Sequence, residues 1–142
     1  MSSGGCGSFG ELPPALMTVV EDARRAVLGT RDAGGGSHLV PIAFAVVENS
    51  IVTAIDQKPK SPRRPARLRN IERTPLATVL FDRYEDDWRR LAWVMARGSA
   101  RVEPPGTYVD ALVERYDQYR HDPPRGEVVV VEPTEVLWWS FA

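Results

Sequence analysis

The sequence predicts an antiparallel β-barrel with added helices, an α+β fold, in a single domain. Six or seven short apolar runs, rich in valine and isoleucine, are bounded by turn residues in the manner of strands. These runs follow one another as hairpins and do not alternate evenly with long helices, which disfavours a doubly wound parallel sheet. A length of 142 residues with 43% hydrophobic content suits one domain with a buried core.

The elements can be placed in order along the chain. Residues 1–10 are rich in glycine and serine, so they predict a flexible tail, and the domain is assigned to residues 11–142. Helices are predicted from Pro13, from about Pro65 to Arg73, and within Pro105–Tyr119, where apolar residues recur at helical spacing. The predicted strand runs cover residues 26–30, 38–47, 51–55, 76–81, 91–102, 128–131 and 136–139.

Two residues indicate irregularities inside predicted strands. Pro41 has no N–H for a ladder hydrogen bond, so the run 38–47 is expected to have an edge, a bulge or an end there. Gly98, within the run 91–102, predicts a β-bulge or a close approach of another backbone segment.

The composition argues against several classes of protein. A net charge of −1 disfavours a general nucleic-acid binder, which is usually basic. No apolar run approaches the roughly 20 residues of a membrane span, and no signal-peptide pattern begins the chain. The single Cys6 allows no intramolecular disulfide, which is consistent with a cytoplasmic location. Because nucleotide-binding, zinc-binding and serine-hydrolase motifs are missing, an enzyme of this sequence would take its chemistry from a cofactor.

A basic segment follows the predicted strand 51–55. Residues 58–75 carry seven positive charges and one acid, and they include the only two lysines of the chain, Lys58 and Lys60. Lysine provides a compact point charge, and Ser61 adds a hydroxyl donor. Three prolines within residues 59–65 lower the entropy that would be lost on fixing the segment around a ligand. The segment therefore predicts an anion site, most often for phosphate. A solvated arginine-rich surface is the alternative.

The aromatic residues leave alternatives open. The acidic loop 82–88 is either a solvated turn with one buried tryptophan or a rim beside a planar ligand, with Tyr84 and Trp88 as flat surfaces. Trp93 lies in a strand run and is more typical of a core residue. Neighbouring strand residues face opposite ways, so one of Trp138 and Trp139 should face the core. The other should face solvent, a partner subunit or a ligand.

These motifs resemble those of a known family. The resemblance to the pyridoxamine-phosphate-oxidase-like split-barrel flavoproteins is carried by Thr53-Ala-Ile-Asp-Gln-Lys-Pro-Lys-Ser61, Arg67-Leu-Arg-Asn-Ile-Glu-Arg-Thr-Pro75 and Leu76-Ala-Thr-Val-Leu-Phe-Asp82. Tyr84-Glu-Asp-Asp-Trp88 and the run Leu91 to Val102 are most similar to the actinobacterial deazaflavin-dependent oxidoreductases, which use coenzyme F420. The resemblance extends from about Leu12 to Phe141.

The resemblance implies a fold, a partner and an activity. The fold is a six-stranded antiparallel split barrel of the FMN-binding type, which forms a homodimer with two cofactor sites at its interface. The activity is F420-dependent hydride transfer to or from a small unsaturated organic molecule. FMN is the alternative cofactor, and a non-catalytic carrier of flavin or haem is the alternative role. The contacts that true oxidases make to pyridoxal phosphate have no clear counterpart here.

The resemblance also implies a set of cofactor-binding residues, with no catalytic side chain and no metal. Lys58, Lys60, Ser61 and Arg67 would hold the phosphate and ribityl end of the cofactor. The strands around Pro41 and over residues 51–55, with Thr53, Ala54 and Ile55, would border its ring, and Trp88 and Trp93 would form a wall on the ring side or the partner side.

Overall fold

One antiparallel sheet of eight strands dominates the computed structural model, which describes residues 1–55 and 64–142. In sheet order the main strands run β3-β2-β6-β7-β8-β5-β4, and β1 pairs with β8. The strands are β1 (Ser2–Cys6), β2 (Ala26–Arg31), β3 (Ser37–Ile42), β4 (Ala45–Val47), β5 (Ser50–Ala54), β6 (Leu76–Arg83), β7 (Ala92–Glu103) and β8 (Val128–Ser140).

The prediction of six strands is therefore wrong by two within the described residues. The predicted run 38–47 ends just after Pro41 and restarts, which yields β3 and β4. The second extra strand, β1, lies where a flexible tail was predicted, and it pairs in register with Val136–Ser140. The residues of β1 have no apolar alternation typical of a strand, because the strand is held by backbone hydrogen bonds and most of its side chains are exposed.

Four helices accompany the sheet in the described parts of the chain. They are α1 (Pro14–Asp22), α2 (Ala66–Arg73), α3 (Tyr108–Arg115) and α4 (Asp117–His121). α1 starts with Pro14 in its first turn and buries Leu16, Val19 and Val20, as the apolar spacing predicts. No helix among these residues has the length and apolar character needed to cross a bilayer.

The sheet must curl because one short link joins its two edges. β3 lies at one edge of the seven-strand path and β4 at the other, yet only Ala43 and Phe44 separate them in sequence. Three Cα–Cα steps span at most about 11 Å, so the two edges meet. The result is a half-barrel with helices, and the split between its edges lies beside β3, β4 and β5.

Two apolar clusters lie on the two sides of the curled sheet. The inner cluster includes Phe81 and Val94 and is completed by Leu68 and Ile71 of α2. The outer cluster lies between the sheet and α3, whose Leu112 is fully buried. The four valines 128–131 are all buried because helix and barrel interior cover opposite faces of β8.

Gly98 lies at a β-bulge, as predicted. The β7–β8 register shifts between Arg97, which pairs with Glu135, and Gly98, which pairs with Pro133. The extra residue on β8 is Thr134, so β8 continues as one strand and the two predicted runs 128–131 and 136–139 are joined.

Candidate functional site

A cleft of about 530 Å³ opens at the split of the barrel. Strand ends and helices that are distant in sequence supply its walls. The described residues that line it are Pro41, Ile42, Ala43, Thr53, Ala54, Arg67, Tyr116, Gln118 and Tyr119. The structure thus brings together four residues predicted to bind a cofactor, namely Pro41, Thr53, Ala54 and Arg67. The volume of the cleft lies within the range of small-molecule sites.

The strand walls are rigid because the sheet holds them. Thr53 and Ala54 pair with Val129 and Val128 of β8, and both residues are buried. Pro41 pairs with Val27 of β2, at the end of edge strand β3 where its missing N–H costs little. The wall is mainly apolar, with the Thr53 side chain as a polar group.

Arg67 is the only charged residue among the described lining residues, and its helix is fixed from within. Asn70 is buried on α2, and its Nδ2 donates to Thr30 Oγ1 of β2 at 3.0 Å. Arg73 Nη2 donates to Asn70 Oδ1 at 3.0 Å and to the Arg31 carbonyl at 3.3 Å. These contacts join α2 to β2, so Arg67 is presented to the cleft from an ordered helix.

Lys58, Lys60 and Ser61 lie outside the described residues, but the chain on both sides of them is fixed by Glu127. The Ile55 N–H donates to the Glu127 carbonyl at 3.2 Å, and Arg64 Nη1 donates to its carboxylate at 2.7 Å. Arg64 also pairs with Glu72 at 3.1 Å. The hydrogen bond to Glu127 is the main cause that raises the pKa of Arg64 above its ordinary value. Ile55 is half-buried and does not line the cleft.

The structure does not bring Trp88 or Trp93 to the cleft of the same chain. Trp88 begins a short 3₁₀ turn and is 67% exposed, so the interpretation of its loop as a turn with a buried tryptophan is wrong. Trp93 lies on β7 opposite Trp139. Glu103 of β7 and Ala54 of the cleft both pair with Val128 of β8, so they lie at the same level of the sheet. Trp93 is ten residues from Glu103, a distance of about 30 Å along the strand.

The sequence interpretation missed Tyr116, Gln118 and Tyr119. The apolar spacing within Pro105–Tyr119 predicts one helix that includes Tyr116, whereas the chain breaks there between α3 and α4 with φ −124° and ψ 124°. No proline or glycine occurs between residues 108 and 121, so the usual signals of a helix break are missing. All three residues line the cleft from this junction.

A second hollow lies on the outer face of the sheet, and the described residues that line it include none of those predicted to bind a cofactor. Its volume is about 600 Å³, and it lies between two exposed leucines, Leu39 and Leu76, and the ion pair Arg97–Glu135. Gly29 and Thr78 form its floor. Its volume exceeds that of the cleft at the split, but the two exposed leucines beside it are more typical of a protein contact than of a cofactor site.

Solved structures share this fold at low sequence identity. A conserved hypothetical protein of Mycobacterium tuberculosis has a TM-score of 0.71 and 22% identity, with 91% of this chain and 85% of that chain covered. A heme binding protein of Mycobacterium smegmatis has a TM-score of 0.69 and 18% identity, with 90% of this chain and 55% of that chain covered. General Stress Protein 26 of Bacillus anthracis has a TM-score of 0.65 and 17% identity, with 89% of this chain and 96% of that chain covered.

The family of this chain is shown by a family model and not by a curated relative. Among curated proteins, none matches this chain. The family model described as pyridoxamine 5'-phosphate oxidase matches residues 12–140, which is nearly all of the domain assigned from the sequence. The cleft at the split of a curled antiparallel sheet agrees with that match, and the chain therefore belongs to the pyridoxamine 5'-phosphate oxidase family.

Proposed function

We propose that this protein is an oxidoreductase that binds a flavin-type cofactor in the cleft. It transfers hydride between that cofactor and a small unsaturated organic molecule. The observation that carries the proposal is the convergence of Pro41, Thr53, Ala54 and Arg67 on one cleft. Within the class we propose the deazaflavin F420 as the cofactor, and FMN is the alternative.

The cleft has the features that such a cofactor needs. A flat ring requires an apolar slot, which the ends of β3 and β5 supply near Pro41, Thr53 and Ala54. A phosphate requires cations and hydroxyl donors, which Arg67 and the basic segment with Lys58, Lys60 and Ser61 would provide. The bound cofactor supplies the hydride, so the protein needs no nucleophile and acts by orienting the ring and excluding water.

The choice between cofactors rests on different observations. Family membership supports a flavin in general. The similarity of Tyr84–Trp88 and Leu91–Val102 to deazaflavin-dependent enzymes supports F420. A carrier role without catalysis is the second candidate function, since one similar structure is a heme binding protein.

Titration of the purified protein with F420 and, separately, with FMN tests the proposal. Saturable F420 binding with a dissociation constant near the micromolar range is expected, because several charged hydrogen bonds of about 1.5–3 kcal/mol each act together. Binding of FMN alone would favour the alternative cofactor, and binding of neither would overturn the proposal. Reoxidation of the reduced cofactor by an added acceptor distinguishes an enzyme from a carrier.

Loss of either lysine should weaken the binding of the cofactor. We expect Lys58→Ala and Lys60→Ala each to raise its dissociation constant about tenfold or more, which corresponds to one lost charged contact. Arg25→Ala is the matched control, because it removes one positive charge from an exposed position outside the cleft. Unchanged affinity in both lysine variants would contradict the phosphate assignment.

We also propose that the protein forms a homodimer that completes the site. The outer face of the sheet carries a cross-strand row of Val27, Leu80, Met95 and Leu137, all partly exposed. A contiguous row of partly exposed apolar side chains is a candidate surface for contact with a second subunit. Trp93 lies on the same strand as Met95, and Trp88 lies in the turn before that strand. The dimer would bring both tryptophans of one subunit toward the cleft of the other.

Met95→Glu tests the dimer because it places a charge in the middle of the apolar row. We expect the variant to sediment as a monomer at micromolar concentration and to bind the cofactor at least tenfold more weakly, since a buried unpaired charge costs several kcal/mol. Thr18→Glu, on the exposed side of α1, is the control and should leave both properties unchanged. A monomeric wild-type protein that binds the cofactor fully would contradict the shared site.

A further inference from the structure

The cleft has a wall that the cofactor residues do not explain. Tyr116, Gln118 and Tyr119 line it from the junction of α3 and α4, and all three side chains are uncharged. Arg67 lines the cleft from α2, whose apolar residues belong to the inner cluster, whereas α3 packs on the outer cluster. The cationic wall and the aromatic wall therefore come from helices on different sides of the sheet.

The aromatic wall is held rigidly through the Tyr116 hydroxyl. This hydroxyl accepts the Phe44 N–H at 3.0 Å and donates to the Arg24 carbonyl at 3.1 Å. The Arg24 guanidinium lies 4.7 Å from the centre of the Tyr116 ring. Phe44 directly follows Ala43, another lining residue, so the same contacts connect the aromatic wall to the strand wall.

Tyr119 extends this surface. Its ring meets the Tyr116 ring edge-on, with centroids 5.7 Å apart and an interplanar angle of 81°. The helix break that places Tyr116 and Tyr119 in the cleft is not imposed by proline or glycine, as the sequence between residues 108 and 121 shows. Hydrogen bonds of the Tyr116 hydroxyl hold the chain at the break, and Tyr116 both lines the cleft and packs on the outer cluster.

Given the proposed function, we propose that Tyr116, Gln118 and Tyr119 bind the hydride acceptor and that they select planar, conjugated, uncharged molecules. Aromatic walls favour planar partners through stacked or edge-on contacts, and the Gln118 amide can bind a neutral polar group. The Tyr116 hydroxyl donates its hydrogen bond to the Arg24 carbonyl, so Tyr116 orients the acceptor and does not protonate it. A quinone would take up a hydride from the reduced cofactor and a proton, and the reduced cofactor would release one proton to water as it loses the hydride, so the products are the hydroquinone and the oxidised cofactor.

Steady-state kinetics with two acceptors test this assignment. The probes are 1,4-naphthoquinone, which is planar and conjugated, and 2-cyclohexen-1-one, which has a puckered ring. We expect Tyr119→Leu to raise the KM for 1,4-naphthoquinone about threefold to tenfold, in line with a lost aromatic contact, and to change the KM for 2-cyclohexen-1-one less than about twofold. The cofactor dissociation constant should remain unchanged.

Tyr108→Leu is the matched control, because Tyr108 packs on the outer cluster from the same helical unit and lies outside the cleft. It should leave the ratio of the two KM values unchanged even if it loosens α3. Equal effects of Tyr119→Leu on both acceptors, or no turnover of 1,4-naphthoquinone by wild-type protein loaded with cofactor, would overturn the assignment of this wall. Failure of the wild-type protein to bind any cofactor would instead overturn the proposed function itself, and the titration shows which has failed.

Discussion

Gly98→Ala is expected to destabilise the fold by about 3 kcal/mol or more. A Cβ atom at this position would overlap the Glu132 carbonyl oxygen and lie 2.8 Å from the Pro133 Cα. Both contacts are with backbone, so no side chain can rotate to relieve them. The backbone itself is held by the pairing of β7 with β8 along the whole of β7, so relief would require loss of the ladder around the bulge.

Chemical denaturation of Gly98→Ala beside Gly126→Ala measures this effect. A Cβ added at Gly126 would meet no atom within 4 Å, so its alanine variant should stay within about 0.5 kcal/mol of wild type. A Gly98→Ala protein as stable as Gly126→Ala would show that β8 does not approach β7 so closely.

Phe81→Ala is expected to lower the free energy of unfolding by about 3–5 kcal/mol. Phe81 has no exposed surface, and its ring packs edge-on against Phe44 at 4.9 Å and Phe9 at 6.1 Å between centroids. The lost ring would leave a cavity inside the half-barrel, next to the link that joins its two edges. Because Phe44 also donates its N–H to Tyr116, we expect the KM for the hydride acceptor to rise as well.

Phe141→Ala provides the matched control for the truncation of a phenylalanine. Phe141 is 37% exposed, and its backbone N–H bond to Leu91 survives the substitution. Thermal and urea unfolding should show a change below about 1 kcal/mol for this variant. Similar losses in the two variants would contradict the central position of Phe81 in the core.

Much of the sheet could be predicted from the sequence because its strands have strong local signals. The run at β6 and the bulge at Gly98 follow from β-branched residues and from a glycine inside a strand. Trp138 packs against the inner cluster while its neighbour Trp139 lies opposite Trp93, as the alternation of strand side chains predicts. Each of these features is determined by residues that are close together in sequence, so the sequence alone predicts it.

Other features depend on contacts between distant parts of the chain. β1 forms from serines and glycines because β8 offers an unpaired edge, and Gly4 leaves room for the Trp138 ring above it. The break at Tyr116 depends on Phe44 and Arg24, which lie 72 and 92 residues away. No propensity of the segment itself encodes either outcome.

The candidate site shows the same division. A resemblance, not residue spacing, predicted that Pro41, Thr53, Ala54 and Arg67 belong together, and the cleft at the split contains all four. The aromatic wall was missed because Tyr116 fits a helical apolar stripe equally well. A tyrosine at the end of such a stripe is ambiguous until its hydroxyl partners are known.

The position of β8 in the sheet has a consequence for production of the protein in cells. β8 pairs with β7 along its length and with β5 and β1 on its other edge, yet it is synthesised after all of them. While a ribosome is still making residues 128–140, β5 and β7 each expose an unpaired edge, and such edges recruit other nascent chains. Slower accumulation of the polypeptide, for example at reduced growth temperature, should therefore increase the soluble yield.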